Sequence, residues 1–290
     1  MVSLRLHASR LFAVFAIVAL GLPAVTASAQ YGDKIYAPQS GQDGKDVIWV
    51  PTPEALVEKM LDMAKLTSKD IHYDLGSGDG RTVIAAAKRG AQAFGVEYNP
   101  DMVALSQRLA AKEGVNGKAK FIRGDIFETD FSRATVLTLY LLPSLNLKLR
   151  PTILNMRPGT RVVSHAFTME DWQPDQTATV EGRTAYLWIV PAKVEGTWRW
   201  SQPGSDTKSY ELSLRQQFQK VDGAVKIDGK AAQLRDVTLS GDQLSFSVQE
   251  NSGAAVRRDF TAHVSGKTLQ GVVRVPGSES ETKWSATRAN

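Results

Sequence analysis

The heptapeptide Asp74-Leu75-Gly76-Ser77-Gly78-Asp79-Gly80 constrains this chain more than any other segment. An apolar alternation of Ile71, Tyr73 and Leu75 leads into it. A helix-like run from Arg81 to Lys88 leads out and stops at Gly90. Strand, glycine turn and helix, in that order, let a backbone approach a nucleotide-like ligand closely. Gly76, Gly78 and Gly80 carry no Cβ, so the turn can take dihedrals closed to other residues and leave room for a ligand. The spacing is G-x-G-x-G, with Arg81 where a dinucleotide fingerprint has Gly or Ala. Asp79 inside the turn opposes a pyrophosphate by charge. A cationic ligand without phosphate suits this turn better.

The elements that follow narrow the ligand. Ala91–Val96 is a second apolar run and ends at Glu97, 23 residues after Asp74. An acid at the end of a second strand is placed to accept from both ribose hydroxyls. Asn99 and Pro100 then start a helix as N-cap and first helical residue, and Gly114 ends it. A third run, Ala119–Arg123, leads to Gly124-Asp125-Ile126-Phe127. There Asp125 can accept from an adenine amino group while Ile126 and Phe127 cover the ring. S-adenosylmethionine, an adenosine that carries sulfonium and ammonium groups and no phosphate, suits these acids. Asp74 is placed to bond that ammonium, directly or through water, or to bond the turn amides as a structural acid. A fourth run, Ala134–Tyr140, ends in Leu141-Leu142-Pro143, and a fifth, Arg161–Phe167, follows the turn Arg157-Pro158-Gly159-Thr160.

DLGSGDGR from 74, GVEYNP from 95, GDIFETDF from 124, TLYLLPSLN from 138 and RPGTRVVSH from 157 resemble the motifs of class I, seven-strand methyltransferases. Within that class they resemble small bacterial relatives of the mitochondrial lysine methyltransferases that act on the ATP synthase c-subunit and the adenine nucleotide translocase. VPTP at 50–53 resembles the segment ahead of the first motif in that group, and the likeness covers roughly residues 46–191. It implies S-adenosylmethionine as cofactor, held by Thr52, Asp74, Gly76, Ser77, Gly78, Glu97, Asp125 and Ile126. It implies a protein lysine or a small-molecule amine as acceptor. In this fold the Tyr140–Pro143 segment lies beside the cofactor methyl, where Tyr140 can orient an amine or serve as a core aromatic. Thr52 reads as the N-cap of a helix from Pro53 to about Lys65, and also as a residue lining the methionine end. His165 ends the fifth strand near the expected acceptor pocket and reads first as a hydrogen-bonded core group. Asp171-Trp172 reads as a cover for that pocket or as a turn, and Trp49 carries the same choice.

Residues 1–29 have the form of a secretory signal: basic Arg5 and Arg10, the apolar stretch Leu11–Leu20, the breakers Gly21 and Pro23, and Ala27-Ser28-Ala29 as a small-residue cleavage site. The expectation is a periplasmic or secreted protein with no stable membrane insertion after cleavage, since the apolar stretch is short for a span. An exported cofactor fold also suggests an alternative: a non-catalytic S-adenosylmethionine- or nucleoside-binding protein. Cysteine is absent, so thiolate and disulfide chemistry are excluded. The four histidines, His7, His72, His165 and His263, show no metal spacing. Losing Arg5 and Arg10 takes the formal charge from +5 to +3, too weak and dispersed for a nucleic-acid partner.

Tyr31–Val50 reads as a polar, extended arm. Alternating elements from 70 to 167 predict a mainly parallel sheet with helices on both faces, and Gln176–Val190 supplies two last strands. The methyltransferase domain is expected over 51–192. The pattern changes near Pro191. Turn signals at Asp222-Gly223, Asp228-Gly229, Gly241-Asp242, Ser252-Gly253, Ser265-Gly266 and Pro276-Gly277 predict an antiparallel barrel or sandwich over 194–290. Gly196-Thr197-Trp198 and a late Arg288 weakly resemble lipocalin-like barrels. The simpler expectation is a filled core with Trp198 packed on Arg288.

Overall fold

In the computed structural model, residues 36–46, 48–202, 207–250, 256–278 and 280–289 are described. The signal and cleavage site expected over 1–29 lie outside the described residues.

Strands β1 (Ile71–Leu75), β2 (Gln92–Glu97), β3 (Ala119–Arg123), β4 (Val136–Leu139), β5 (Arg161–His165), β6 (Gln176–Val180) and β7 (Arg183–Ile189) form one sheet in the order β3-β2-β1-β4-β5-β7-β6. β1 to β5 are parallel, and β7 runs antiparallel to both β5 and β6. Helices α1 (Glu54–Met63), α2 (Arg81–Lys88) and α3 (Pro100–Lys112) cover one face, and α4 (Pro143–Leu154) covers part of the other. The strand order reverses beside β1, so the carboxyl ends of β1, β2, β3, β4 and β5 open on one crevice, the place where such sheets bind ligands. The central strands β1, β4 and β5 are buried along almost their whole length, as expected of central parallel strands covered on both faces.

Local sequence explains most element ends. Asn99 caps α3, its side-chain oxygen accepting from Asp101 N at 2.9 Å, with Pro100 at the first helical position. Helix α1 departs from expectation. Its N-cap is Pro53, without a side-chain cap bond, and it ends at Met63. Thr52 is not the cap, because its hydroxyl is 3.0 Å from His165 Nδ1 and the two buried polar groups satisfy each other. Over its described residues the polar arm is looped rather than extended: Gly41 N bonds Trp49 O and Trp49 N bonds Gln42 O, both at 2.8 Å.

Strands β8 (Gly196–Gln202) through β15 (Glu281–Arg288) close an eight-stranded antiparallel barrel, with β8 joined to both β15 and β9 (Lys208–Gln217). Its interior is filled by aromatic side chains. Trp200 stacks on Tyr210 at 4.7 Å, Phe246 on Phe260 at 5.0 Å, and Trp284 meets Phe260 edge-on at 5.1 Å. The Arg288 guanidinium lies 4.6 Å over the Trp198 ring at one end. Asp222-Gly223 is not a turn. It lies within β10 (Lys220–Ile227), where a Cβ on Gly223 would come 2.0 Å from Ser213 O.

The barrel docks on the sheet through its β9–β10 hairpin. Phe218, at a left-handed φ of 54°, stacks 5.9 Å from Trp172 beneath the Arg150 guanidinium at 5.4 Å. Gln219 Nε2 donates to Gln173 O at 2.7 Å, and Gln216 Nε2 to Ala192 O at 2.8 Å. Trp172 is therefore a buried interface residue, 0% exposed, and not a cover for the cavity.

Candidate functional site

A cavity of about 530 Å³ lies at the carboxyl edge of the sheet, within the usual range for small-ligand sites. The glycine turn forms its floor. Gly76 N and Ser77 N both donate to Val96 O, at 2.9 and 3.0 Å, which binds the turn to β2. Gly76, Gly78 and Gly80 take φ values of 78°, 53° and 79°, a region that disfavours other residues. A Cβ on Gly78 would sit 2.5 Å from Trp49 Nε1, so the arm closes directly over the turn.

Three carboxylates sit where the strands end. Asp74 is 8% exposed and accepts from the Thr138 hydroxyl at 2.6 Å. It does not bond the turn amides: Gly76 N and Ser77 N donate to Val96 O, Gly78 N to Glu97 Oε2 and Gly80 N to Ser77 O. Burial pushes its pKa up to about 7; the Thr138 bond opposes that shift, and the Asp79 and Glu97 charges add to it. Glu97 Oε2 accepts from Gly78 N and Oε1 from Asn99 N, both at 2.9 Å. Each oxygen keeps a further lone pair for a ligand. Asp125 Oδ1 accepts from Phe127 N at 2.9 Å, and its Oδ2 pairs with Lys45. The Lys45 hydrogen bond holds the Asp125 carboxyl below its ordinary value, with the Phe127 amide assisting.

Ile126, Leu141 and Met102 give the same cavity apolar walls. A ligand bearing an amino group, vicinal hydroxyls and an ammonium on an otherwise apolar body fits this donor-hungry set of acids. Thr52, Gly76, Ser77 and Gly78 line it too. The Ser77 side chain turns toward β2, where a Cβ on Gly95 would meet Ser77 Oγ at 2.5 Å, so Ser77 serves the cavity through its backbone. Asp79 is neutralised by Arg81, whose Nε lies 3.1 Å from both of its oxygens. The charge that argues against a pyrophosphate in the sequence is therefore compensated locally.

At the other end of the cavity Tyr140 stacks on His165 at 3.8 Å and lies 6.1 Å from Phe167. His165 is 1% exposed, and burial, helped by the Arg183 charge, lowers its pKa to about 4. It stands behind Tyr140 as a neutral prop that also holds the Thr52 hydroxyl. Tyr140 and Phe167 face the cavity.

The arm supplies residues that no pattern marked. Asp43, Lys45 and Asp46 line the cavity, and Lys45 Nζ lies 4.7 Å over the Tyr98 ring. A polar stretch before a helix carries no periodic signal, so its placement is a tertiary fact.

Residues 74–176 match the family described as the ANTKMT methyltransferase domain. Over 151 residues the chain is 43% identical to a protein-lysine N-methyltransferase of Saccharolobus islandicus (strain REY15A), covering 50% of this chain and 94% of that protein. It is 36% identical over 135 residues to the ATP synthase c-subunit lysine N-methyltransferase of Homo sapiens, which takes 46% of this chain and 57% of the human protein. A solved RNA methyltransferase from Salinibacter ruber, in complex with S-adenosyl-L-homocysteine, is 49% identical, with a TM-score of 0.49 over 50% of this chain and 96% of that one. With the ordered acids, the glycine turn and these sequence likenesses in place, the chain belongs to the S-adenosylmethionine-dependent methyltransferases, in the family that holds the protein-lysine N-methyltransferases it matches.

Proposed function

We propose that this chain transfers the methyl group of S-adenosylmethionine to the side-chain amine of a lysine in a protein acceptor. The observation that carries this reading is the make-up of the cavity. Among the described residues, Asp43, Asp46, Asp74, Asp79, Glu97 and Asp125 line it against Lys45 and Arg81, and Tyr140 and Phe167 furnish an aromatic end. Such a field draws a cationic lysine and repels a phosphate backbone. Relatives named as protein-lysine N-methyltransferases support the same acceptor.

When bound, S-adenosylmethionine supplies an electrophilic methyl carbon on a sulfonium. The chain's own task is alignment, because in-line displacement depends on holding the nucleophile at roughly 3–3.5 Å on the correct axis. The Tyr140 ring seats the incoming amine as a cation on its face. Desolvation there, opposing the pull of the ring on the cation, lowers the amine pKa from its free value of about 10.4, so its proton passes to solvent water and the nitrogen presents a lone pair. His165 and Thr52 keep the Tyr140 ring from moving.

The start of the sequence supports export to the periplasm, with a mature N-terminus at Gln30; intact mass of protein from cell fractions tests it. Among the described residues no helix is long and apolar enough to cross a membrane. For the reaction, the mature protein is incubated with labelled S-adenosylmethionine and extracts of its own cell envelope. Label on protein lysine is expected. Tyr140→Ala should cut transfer by about 10–100-fold and leave S-adenosylhomocysteine affinity within about twofold. Label on small amines or RNA would replace the acceptor. Saturable cofactor binding with no transfer would favour an exported, non-catalytic binding protein.

A further inference from the structure

Beneath the cavity runs a buried chain of three polar side chains. Asp74 and Thr138 are register partners on β1 and β4, and the Thr138 hydroxyl donates to Asp74 Oδ1 at 2.6 Å. The same hydroxyl lies 2.8 Å from His72 Nε2. His72 is two residues before Asp74 on β1, so both point to one face of the sheet. His72 and Thr138 are each 0% exposed.

The proton order follows from counting. A hydroxyl has one proton to give. Ionised Asp74 can only accept, so that proton goes to Asp74, and the Nε2–H of His72 must donate to Thr138. His72 Nδ1 is then the bare nitrogen, and it is a buried atom without a hydrogen-bond partner. That agrees with a ring that burial holds neutral, its pKa down to about 3 against the pull of Asp70. The relay has one sense, from His72 through Thr138 to Asp74. The other groups acting on the carboxyl are Thr82, whose hydroxyl favours the charged form, and Asp79 and Glu97, whose charges oppose it.

We propose that His72 and Thr138 are positioning residues for the ammonium group of the methyl donor: they fix the Asp74 carboxylate in one orientation and favour its ionised, accepting form toward the cavity. The proposal rests on the cavity being the S-adenosylmethionine site. Among the described residues this buried histidine has no other partner on its Nε2, and an apolar residue would pack there without leaving Nδ1 unpaired.

Two ligands separate this role from a structural one. S-adenosylhomocysteine carries the ammonium, and 5′-methylthioadenosine keeps the nucleoside and thioether without it. Both are titrated calorimetrically into the mature protein and into Thr138→Val, Thr138→Ser, His72→Leu and His72→Gln. Valine has the shape of threonine without the hydroxyl, and glutamine retains an N–H donor. Thr138→Val and His72→Leu should weaken S-adenosylhomocysteine binding by about tenfold, the scale of a charge-assisted hydrogen bond, and leave methylthioadenosine within about twofold. Thr138→Ser and His72→Gln should bind both ligands nearly as the parent does. Equal losses for both ligands, or no loss for S-adenosylhomocysteine, would overturn the proposal. If His72→Leu does not fold, the contrast between Thr138→Val and Thr138→Ser decides. Failure of the parent to bind either ligand would instead sink the reading of the cavity itself.

Discussion

Asp74 carries a carboxyl whose charge depends on pH in the working range. Burial lifts its folded pKa to about 7 from an ordinary 3.8. The folded state therefore holds the proton more tightly than the unfolded chain. The cofactor-free protein gains stability from this group as pH falls from about 7 toward 4, and loses that gain as pH rises. Asp74→Asn removes the penalty at high pH. The variant should be more stable than the parent by about 1–3 kcal/mol at pH 8 and indistinguishable near pH 4, as measured by urea unfolding at both. Its S-adenosylhomocysteine affinity should be weaker and flat between pH 6 and 8, where that of the parent rises. Glu97 tests the ribose end. Glu97→Ala should weaken S-adenosylhomocysteine binding by about 1–3 kcal/mol in a calorimetric titration, and unchanged affinity would remove Glu97 from the site. Glu97, Asp125 and Asp74 are legible in sequence because each stands at the end of an apolar run. The Thr52–His165 bond is not, since the two partners lie 113 positions apart.

The glycine turn and the looped arm act as one element, because Trp49 closes on Gly78 while Lys45 reaches Asp125. The Lys45–Asp125 pair engages the carboxylate that is placed for an adenine amino group. Lys45 is about a third exposed, so the pair is a weak surface contact that a ligand must share or displace. Lys45→Met should tighten S-adenosylhomocysteine binding by about two- to fivefold at low salt, and the difference should vanish at high salt. Weaker binding by Lys45→Met would show the arm to be a contributor to the nucleoside site and not a competitor. The turn was legible because glycines at alternate positions between a strand and a helix have few other uses. The arm was not, since its polar residues fit a solvated linker equally well. The Asp222-Gly223 reading failed for a related reason: glycine marks a close backbone approach as readily as a turn.

Across the whole molecule, the barrel is clamped to the sheet by a hairpin tip. Phe218 holds a left-handed backbone conformation while stacked between Trp172 and Arg150. That conformation is uncommon for an aromatic residue and persists because the interface over-determines it. Phe218→Ala should cost about 1–3 kcal/mol and split a single thermal transition into two by calorimetry, as barrel and sheet lose their shared contact. One unbroken transition in the variant would mean that the Gln216 and Gln219 bonds suffice to couple the two.

What the amino-acid order determined by itself is local and periodic: the strand–turn–helix around Gly76–Gly80, the acids at strand ends, the shift to short alternating strands after Pro191, and through these the seven-strand sheet with an all-β unit behind it. These are legible because hydrogen-bonding period and backbone freedom act over a few residues. Tertiary structure alone decided the rest. It chose a closed barrel over a sandwich for the β unit, and buried Trp172 under Phe218. It also gave Thr52 to His165, Thr138 to Asp74 and Lys45 to Asp125. Each of these pairs spans 64 positions or more, and a buried polar group takes whichever partner the packed chain brings within reach.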